Sequence, residues 1–178
     1  MKNIILSALA IVLFSSCQSI KFDRYPGEAK SEFPENIRGK YTKIIKNGNS
    51  ADTVSVYIAK DSYTIYNSKE TAIDFLDSEH VFSTYNNYSF LFLKEDNFWQ
   101  GYSIEKTTNG ISVLHISVPN KGDYLKNIKY VSKFFDDVKC IKTSNVVDII
   151  ECTAKMDEKK LLKYIKKNKR NKINLIQD

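Results

Sequence analysis

Histidine, cysteine, proline and glycine are all scarce in this 178-residue chain, which holds two, three, three and six of them. So few prolines and glycines exclude a collagen-like or linker-like polymer. The two histidines, His80 and His115, have no His-x-His, His-x-x-x-His or Cys-x-x-Cys partner spacing, so the ligand patterns of structural and catalytic zinc are missing. Asp77 and Glu79 do stand near His80. A strand histidine is ordinarily a satisfied structural residue, and no metal and no cofactor are expected. Gly-x-Ser-x-Gly, the P-loop and Gly-x-Gly-x-x-Gly are also missing, and with them the usual nucleophile elbow and phosphate cradles. The Asp136-Asp137 pair is adjacent, and adjacent helical residues point apart rather than forming an acid/base dyad. No catalytic residue is expected, and the chain is read as a non-enzyme. Internal repeats and low-complexity stretches are missing too.

What is present is ordinary globular composition, 42% hydrophobic and 27% charged. Eleven Tyr and ten Phe favour half-buried pleated surfaces. The net charge of +6 is concentrated: Lys159, Lys160, Lys163, Lys166, Lys167, Lys169, Arg170 and Lys172 all fall in the last twenty residues. That element is either a helix with a solvated basic face or a contact for anionic lipid headgroups, where each basic residue is worth ~1 kcal/mol.

One apolar run stands out, Ile4 to Phe14, preceded by Lys2 and followed by Ser15-Ser16-Cys17. Charge, apolar core and small residues in that order make a signal peptide. The run is too short to cross ~30 Å of hydrocarbon, which takes roughly 20 residues. Leu13-Phe14-Ser15-Ser16-Cys17 resembles the lipobox of bacterial lipoproteins, with Phe14 where an aliphatic residue is usual. The resemblance implies cleavage before Cys17, lipidation of Cys17 and anchoring by several acyl chains, which hold where one chain does not. Gln18, rather than aspartate, after the cysteine implies the outer membrane with the domain facing the periplasm. Nucleic acid is not a partner at such an address. The remaining cysteines, Cys140 and Cys152, are an even pair in an exported chain. They either form a disulfide or are two buried thiols that behave as small hydrophobes.

The expected organisation is a signal peptide over 1–16, a lipidated cysteine and tether over 17–36, and one β-rich domain over 37–178. The competing reading of 18–36 is an arm packed on the domain through Phe22, Tyr25 or Phe33. From Ile37 to Val118 apolar residues recur with period two, in 53–60, 62–67, 80–85, 88–94, 97–105 and 111–118. Asn47-Gly48 and Asn109-Gly110 are strong hairpin signals, and Asn86-Asn87 is a weaker one. Residues 71–76 fit a strand or a short helix. After Pro119 the spacing becomes three and four, which predicts a helix over about 122–139; the rival is two further strands around Tyr130 and Phe135. Residues 146–154 fit a strand. Asp157 suits a helix N-cap before Leu161, Leu162 and Ile165, and 173–176 fit an edge strand or a frayed tail. The fold class is mainly β with α (α+β): an antiparallel up-and-down meander or barrel-like sheet followed by one or two C-terminal helices.

A meander opening on Gly39-Lys40-Tyr41 resembles the Gly-x-Trp start of lipocalin-like (calycin) domains, over about residues 37–118. The resemblance implies an up-and-down barrel around an apolar cavity and binding of a small apolar ligand, without catalysis. Phe90, Phe92, Phe98, Tyr102 and His115 are the residues expected to line such a cavity, and Tyr57, Tyr63, Tyr66, Tyr85, Tyr88 and Trp99 are further aromatics for a binding face. The alternative is an accessory subunit docking on a membrane-protein partner, which a filled core and an exposed apolar patch would favour.

Overall fold

The computed structural model describes residues 18–47, 50–66, 71–119, 123–142 and 150–178. Segment 1–16 and Cys17 lie outside them. Among the described residues, thirteen strands form one sheet, accompanied by two α-helices. This is the α+β class with a barrel-like antiparallel sheet that the period-two stretches predict.

Residues 18–36 are not a tether. β1 (Ser19–Phe22) is buried along its whole length. It lies parallel to β12 (Ile150–Lys155), Ser19 opposite Glu151, and antiparallel to β9 (Phe98–Thr107), Lys21 opposite Gln100. β2 (Glu28–Lys30) pairs with β7 (His80–Tyr85), and Phe33 is buried. The arm reading is the one the structure follows, with Phe22, Tyr25 and Phe33 as its packing residues. Four- and three-residue strands are too short to display a period, so their apolar residues looked scattered among charges.

β3 (Gly39–Asn47), β4 (Ser50–Ile58), β5 (Ser62–Tyr66) and β6 (Thr71–Phe75) form an antiparallel meander, and β7, β8 (Tyr88–Glu95), β9 and β10 (Gly110–His115) form a second. α1 (Tyr124–Val131), β11 (Asp136–Lys142), β12, α2 (Glu158–Lys167) and β13 (Ile173–Gln177) complete the chain. The strand order is β11-β12-β1-β9-β10-β13-β3-β4-β5-β6, and β8, β7 and β2 continue from the other edge of β9.

β9 is where the sheet forks. One edge pairs with β8 from Phe98 to Ile104. On the other, Tyr102–Thr107 pair with β10, whereas Trp99 and Gln100 pair with β1. The branches part at Gly101, whose carbonyl accepts from the Ile116 N–H at 2.9 Å, and the Ile116 carbonyl accepts from Ile20 N–H at 3.4 Å. One branch curls into a half-barrel over a core containing Phe33, Tyr41, Ile58, Tyr63, Leu91, Leu93, Tyr102 and Leu175. The other carries both helices over Ile20, Phe22, Phe90, Phe92, Phe135, Cys152, Tyr164 and Ile165. β8 therefore alternates between two interiors, which is what period two must do when both faces of a strand are covered.

Gly101 is required at the fork because the Phe92 ring lies across it. A Cβ there would sit 2.3 Å from Phe92 Cζ, and Phe92 is fully buried. Gly101→Ala is expected to cost about 1–3 kcal/mol, the range for overpacking, measured by urea denaturation. An unchanged midpoint would mean that the ring can leave without penalty.

The predicted helix over 122–139 is only half helix. Asp123 caps α1, its carboxylate accepting from Lys126 N–H at 2.8 Å. The helix ends at Ser132 and β11 follows, with a bulge at Asp137 where φ is 52°. Val138 and Cys140 pack on the second core from β11. Val138 stands three and four residues after Phe135 and Phe134 and two before Cys140, so it satisfies the helical spacing and a period of two at once, and the two patterns overlap there. Cys140 lies opposite Cys152 in the β11–β12 ladder and the two sulfurs are bonded. Residues 71–75 are strand. β13 is neither an edge nor a tail, since it pairs with β10 on one side and β3 on the other. β10 stops at His115, short of Val118, because the chain peels away at the fork.

Of the three Asn signals, the weakest is the one whose backbone is left-handed at both positions: Asn86 and Asn87 have φ of 47° and 64°, the requirement of a type I′ hairpin. In the β9–β10 hairpin the turn residues are Thr108 and Asn109, and Gly110 pairs back to Thr107. In the β3–β4 hairpin Asn47 pairs with Ser50, and residues 48–49 lie outside the described ones.

Candidate functional site

The expected cavity-lining residues do not converge. Phe90 and Phe92 turn towards the helix-covered core, whereas Tyr102 turns into the half-barrel. Phe98, at the start of β9, is half-buried opposite Glu95. His115 is the one residue of the set beside Tyr102, ring on ring at 4.9 Å and 25°. β8 alternates Phe90 and Phe92 against Leu91 and Leu93, as its sequence predicts, but the side facing the barrel is Leu91 and Leu93.

The half-barrel interior holds a cavity of about 60 Å³, lined by apolar and aromatic side chains that include Phe33, Ile58, Tyr63, Leu91, Tyr102 and Leu175. Ligand pockets run to roughly 300–1,000 Å³, so this space is a packing gap beside a mostly filled core. Its ionisable neighbours are held neutral. Burial, with the Asp74 carboxylate opposite, pushes the Tyr63 phenol well above its ordinary 10.0, and burial raises Tyr102 as well. Burial lowers His115 from 6.5 to about 4.

The remaining candidates are dispersed. His80 Nδ1 lies 3.4 Å from Asp77 Oδ1. That carboxylate also accepts the backbone N–H groups of Glu79 and His80, both at 2.7 Å, so Asp77 shapes the turn into β7. His80 and His115 stand on β7 and β10, and no group of three His, Cys, Asp or Glu suited to a metal occurs among the described residues. Asp136 pairs with Lys160 on α2. Tyr85, Tyr88 and Trp99 pack against the second core.

The outer face of the half-barrel is different. Tyr57, Tyr66, Ile73 and Phe75 are exposed by 45%, 42%, 58% and 60%. On β6 the amphipathic pattern is inverted. Registration with β5 puts Ala72 beside buried Ile65 and Asp74 beside buried Tyr63, which leaves Ile73 and Phe75 on the outside. β6 also ends the strand order. Among the described residues its second edge has no strand partner, so a row of backbone donors and acceptors lies next to exposed apolar side chains. An inward charge such as Asp74 is a device against indiscriminate edge pairing. Hydrophobicity alone would have put Ile73 and Phe75 inside, and only the register of the neighbouring strand reverses that. Comparison with known proteins found no matching family model, no matching curated relative and no matching solved structure.

Proposed function

We propose that this chain is a non-enzymatic envelope lipoprotein, anchored through Cys17 to the outer membrane, whose β domain docks on a membrane-protein partner through the open edge of β6. The observation that supports docking is the inverted edge: exposed Ile73 and Phe75 on a strand that has no outer neighbour among the described residues. Such an edge takes up an extended partner segment by strand addition, with backbone hydrogen bonds supplying affinity and side-chain contacts supplying selectivity. The small interior cavity favours docking over carriage of an apolar ligand. The anchor is supported by the lipobox resemblance of residues 13–17.

The two parts fail separately. Cys17→Ser is expected to abolish incorporation of a labelled fatty acid and to release the protein from membranes; undiminished membrane retention would sink the anchor. A photo-crosslinking residue at position 75 of the full chain, irradiated in intact cells, is expected to give one discrete protein adduct. Ile73→Asp should reduce that adduct severalfold without changing the thermal melt. A site at Asn97, on the exposed β8–β9 turn, serves as the comparison, and equal adducts at both sites would remove the docking reading.

A further inference from the structure

β1 starts almost at the anchor. Cys17 is bonded to Gln18, and Gln18 to Ser19, the first residue of a fully buried strand. Two residues of chain reach at most about 7 Å, so a lipid on Cys17 leaves the domain no room to stand off. The surface around Ser19 then meets the bilayer. Ser19 is in register with Glu151, and Glu151 with Ile141, which places Ile141 two strands away, about 10 Å. The neighbouring residue Cys140 accepts a hydrogen bond through its carbonyl from the Tyr124 hydroxyl at 2.8 Å. Each residue of that bond has an exposed apolar neighbour: Leu125 at 74% on α1, and Ile141 at 59% on the side of β11 turned away from Cys140 and the second core, so the two flank the end of the sheet at which Ser19 lies.

The charges there suit an anionic surface. Lys142 is exposed at the end of β11. The Tyr164 hydroxyl of α2 donates to the Ser117 carbonyl, next to Ile116, which bonds Ile20. The following turn therefore brings exposed Lys166 and Lys167 towards the same region. Two acids at this place are both engaged: Glu151 by Lys21 Nζ at 2.9 Å, and Asp123, two residues before Leu125, by Lys126 Nζ at 3.0 Å.

We propose that Leu125 and Ile141, bordered by Lys142, Lys166 and Lys167, form a membrane-resting face that seats the domain on anionic phospholipid. The proposal rests on the Cys17 anchor reading. Leu125 and Ile141 enter the interfacial region and the lysines meet the headgroups, the arrangement by which peripheral elements hold to bilayers. It also gives the basic C-terminal helix a partner.

The test uses the full lipidated chain in phosphatidylcholine vesicles with and without phosphatidylglycerol. An environment-sensitive fluorophore is placed at position 125, 141 or 57 through a single introduced cysteine, and quenching by brominated lipid is read. Quenching at 125 and 141 is expected to exceed that at 57 severalfold. It should grow with phosphatidylglycerol and shrink when Lys142, Lys166 and Lys167 are changed to Glu. Retention on vesicles with equal quenching at all three sites would leave the anchor intact and overturn the face. Failure of the chain with native Cys17 to stay on vesicles would overturn both.

Discussion

Phe22→Ala is expected to destabilise the domain by about 3–5 kcal/mol, the range for truncating a buried aromatic, read as a lower midpoint in urea for the disulfide-intact domain beginning at residue 18. Phe22 has no exposed surface. Its ring meets Phe135 edge-on at 5.1 Å and Phe92 at 6.3 Å, so its loss opens a void between β8, β1 and the segment after α1. Domains hold together by about 5–15 kcal/mol, so a loss of this size leaves little margin. The same strand holds Lys21, whose ammonium lies between Glu95 at 3.0 Å and Glu151 at 2.9 Å. Burial disfavours that charge, but the hydrogen bonds to Glu151 and Glu95 outweigh it and raise the Lys21 pKa above 10.5. β1 is thus tied in by packing on one face and by charge on the other. If Phe22→Ala left the midpoint unchanged, residues 18–22 would be a tether after all, and the membrane-resting face would lose its geometric basis.

The second large effect is a loss of stability on acidification, assigned to His115. Burial lowers its pKa from 6.5 to about 4, so the unfolded chain takes up a proton at a higher pH than the folded domain does. Stability is therefore full above about pH 6.5, falls as the pH drops, and levels off for this residue below about 4. The difference corresponds to about 3 kcal/mol at 1.36 kcal/mol per unit. Urea midpoints across that window should decline for the native chain, and His115→Phe should remove most of the decline between pH 6.5 and 5. Carboxylates whose pKa values are lowered in the fold, such as Asp77 and Glu158, act in the same direction but only near and below their ordinary 3.8 and 4.5. That separation of windows lets the histidine be isolated. An identical slope in the variant would mean that His115 is not the titrating group.

How much of this was legible in the chain depended on element length. The long meander strands announced themselves, because 88–94 and 97–105 alternate over enough residues for the period to be counted. β1 and β2 did not, since nothing in four or three residues distinguishes a central strand from a charged arm with a few hydrophobes. Within 122–139 the three-four spacing marks the part that is helix and runs on into the part that is strand. Val138 fits both periods, three and four residues after Phe135 and Phe134 and two before Cys140, and the β12 ladder decides between them. The candidate site was least legible. The size of Phe90 and Phe92 predicts a place in a single barrel interior, whereas the fork at Gly101 gives β8 two interiors and turns both rings to the helix-covered one. The exposed edge of β6 escaped for the converse reason: Ile73 and Phe75 have the composition of core residues, and only their register with β5 turns them outward.

The parallel pairing of β1 with β12 also bears on the order in which the domain is completed. Chain growth makes β1 first, yet its partner Glu151 lies near the other end of the chain. The β3–β6 and β7–β10 meanders are local and can close as they emerge, but the fork cannot be filled until residue 155 is available. Non-local pairing of this kind raises contact order and slows folding. Until then Ile20 and Phe22 lack the cover of β12 and α2 in a nascent chain, where exposed apolar segments invite misassembly. Among the described residues, the first strand to be synthesised thus has β9 for one edge long before β12 arrives to cover the other, and a half-seated strand is what the growing chain must protect in that interval.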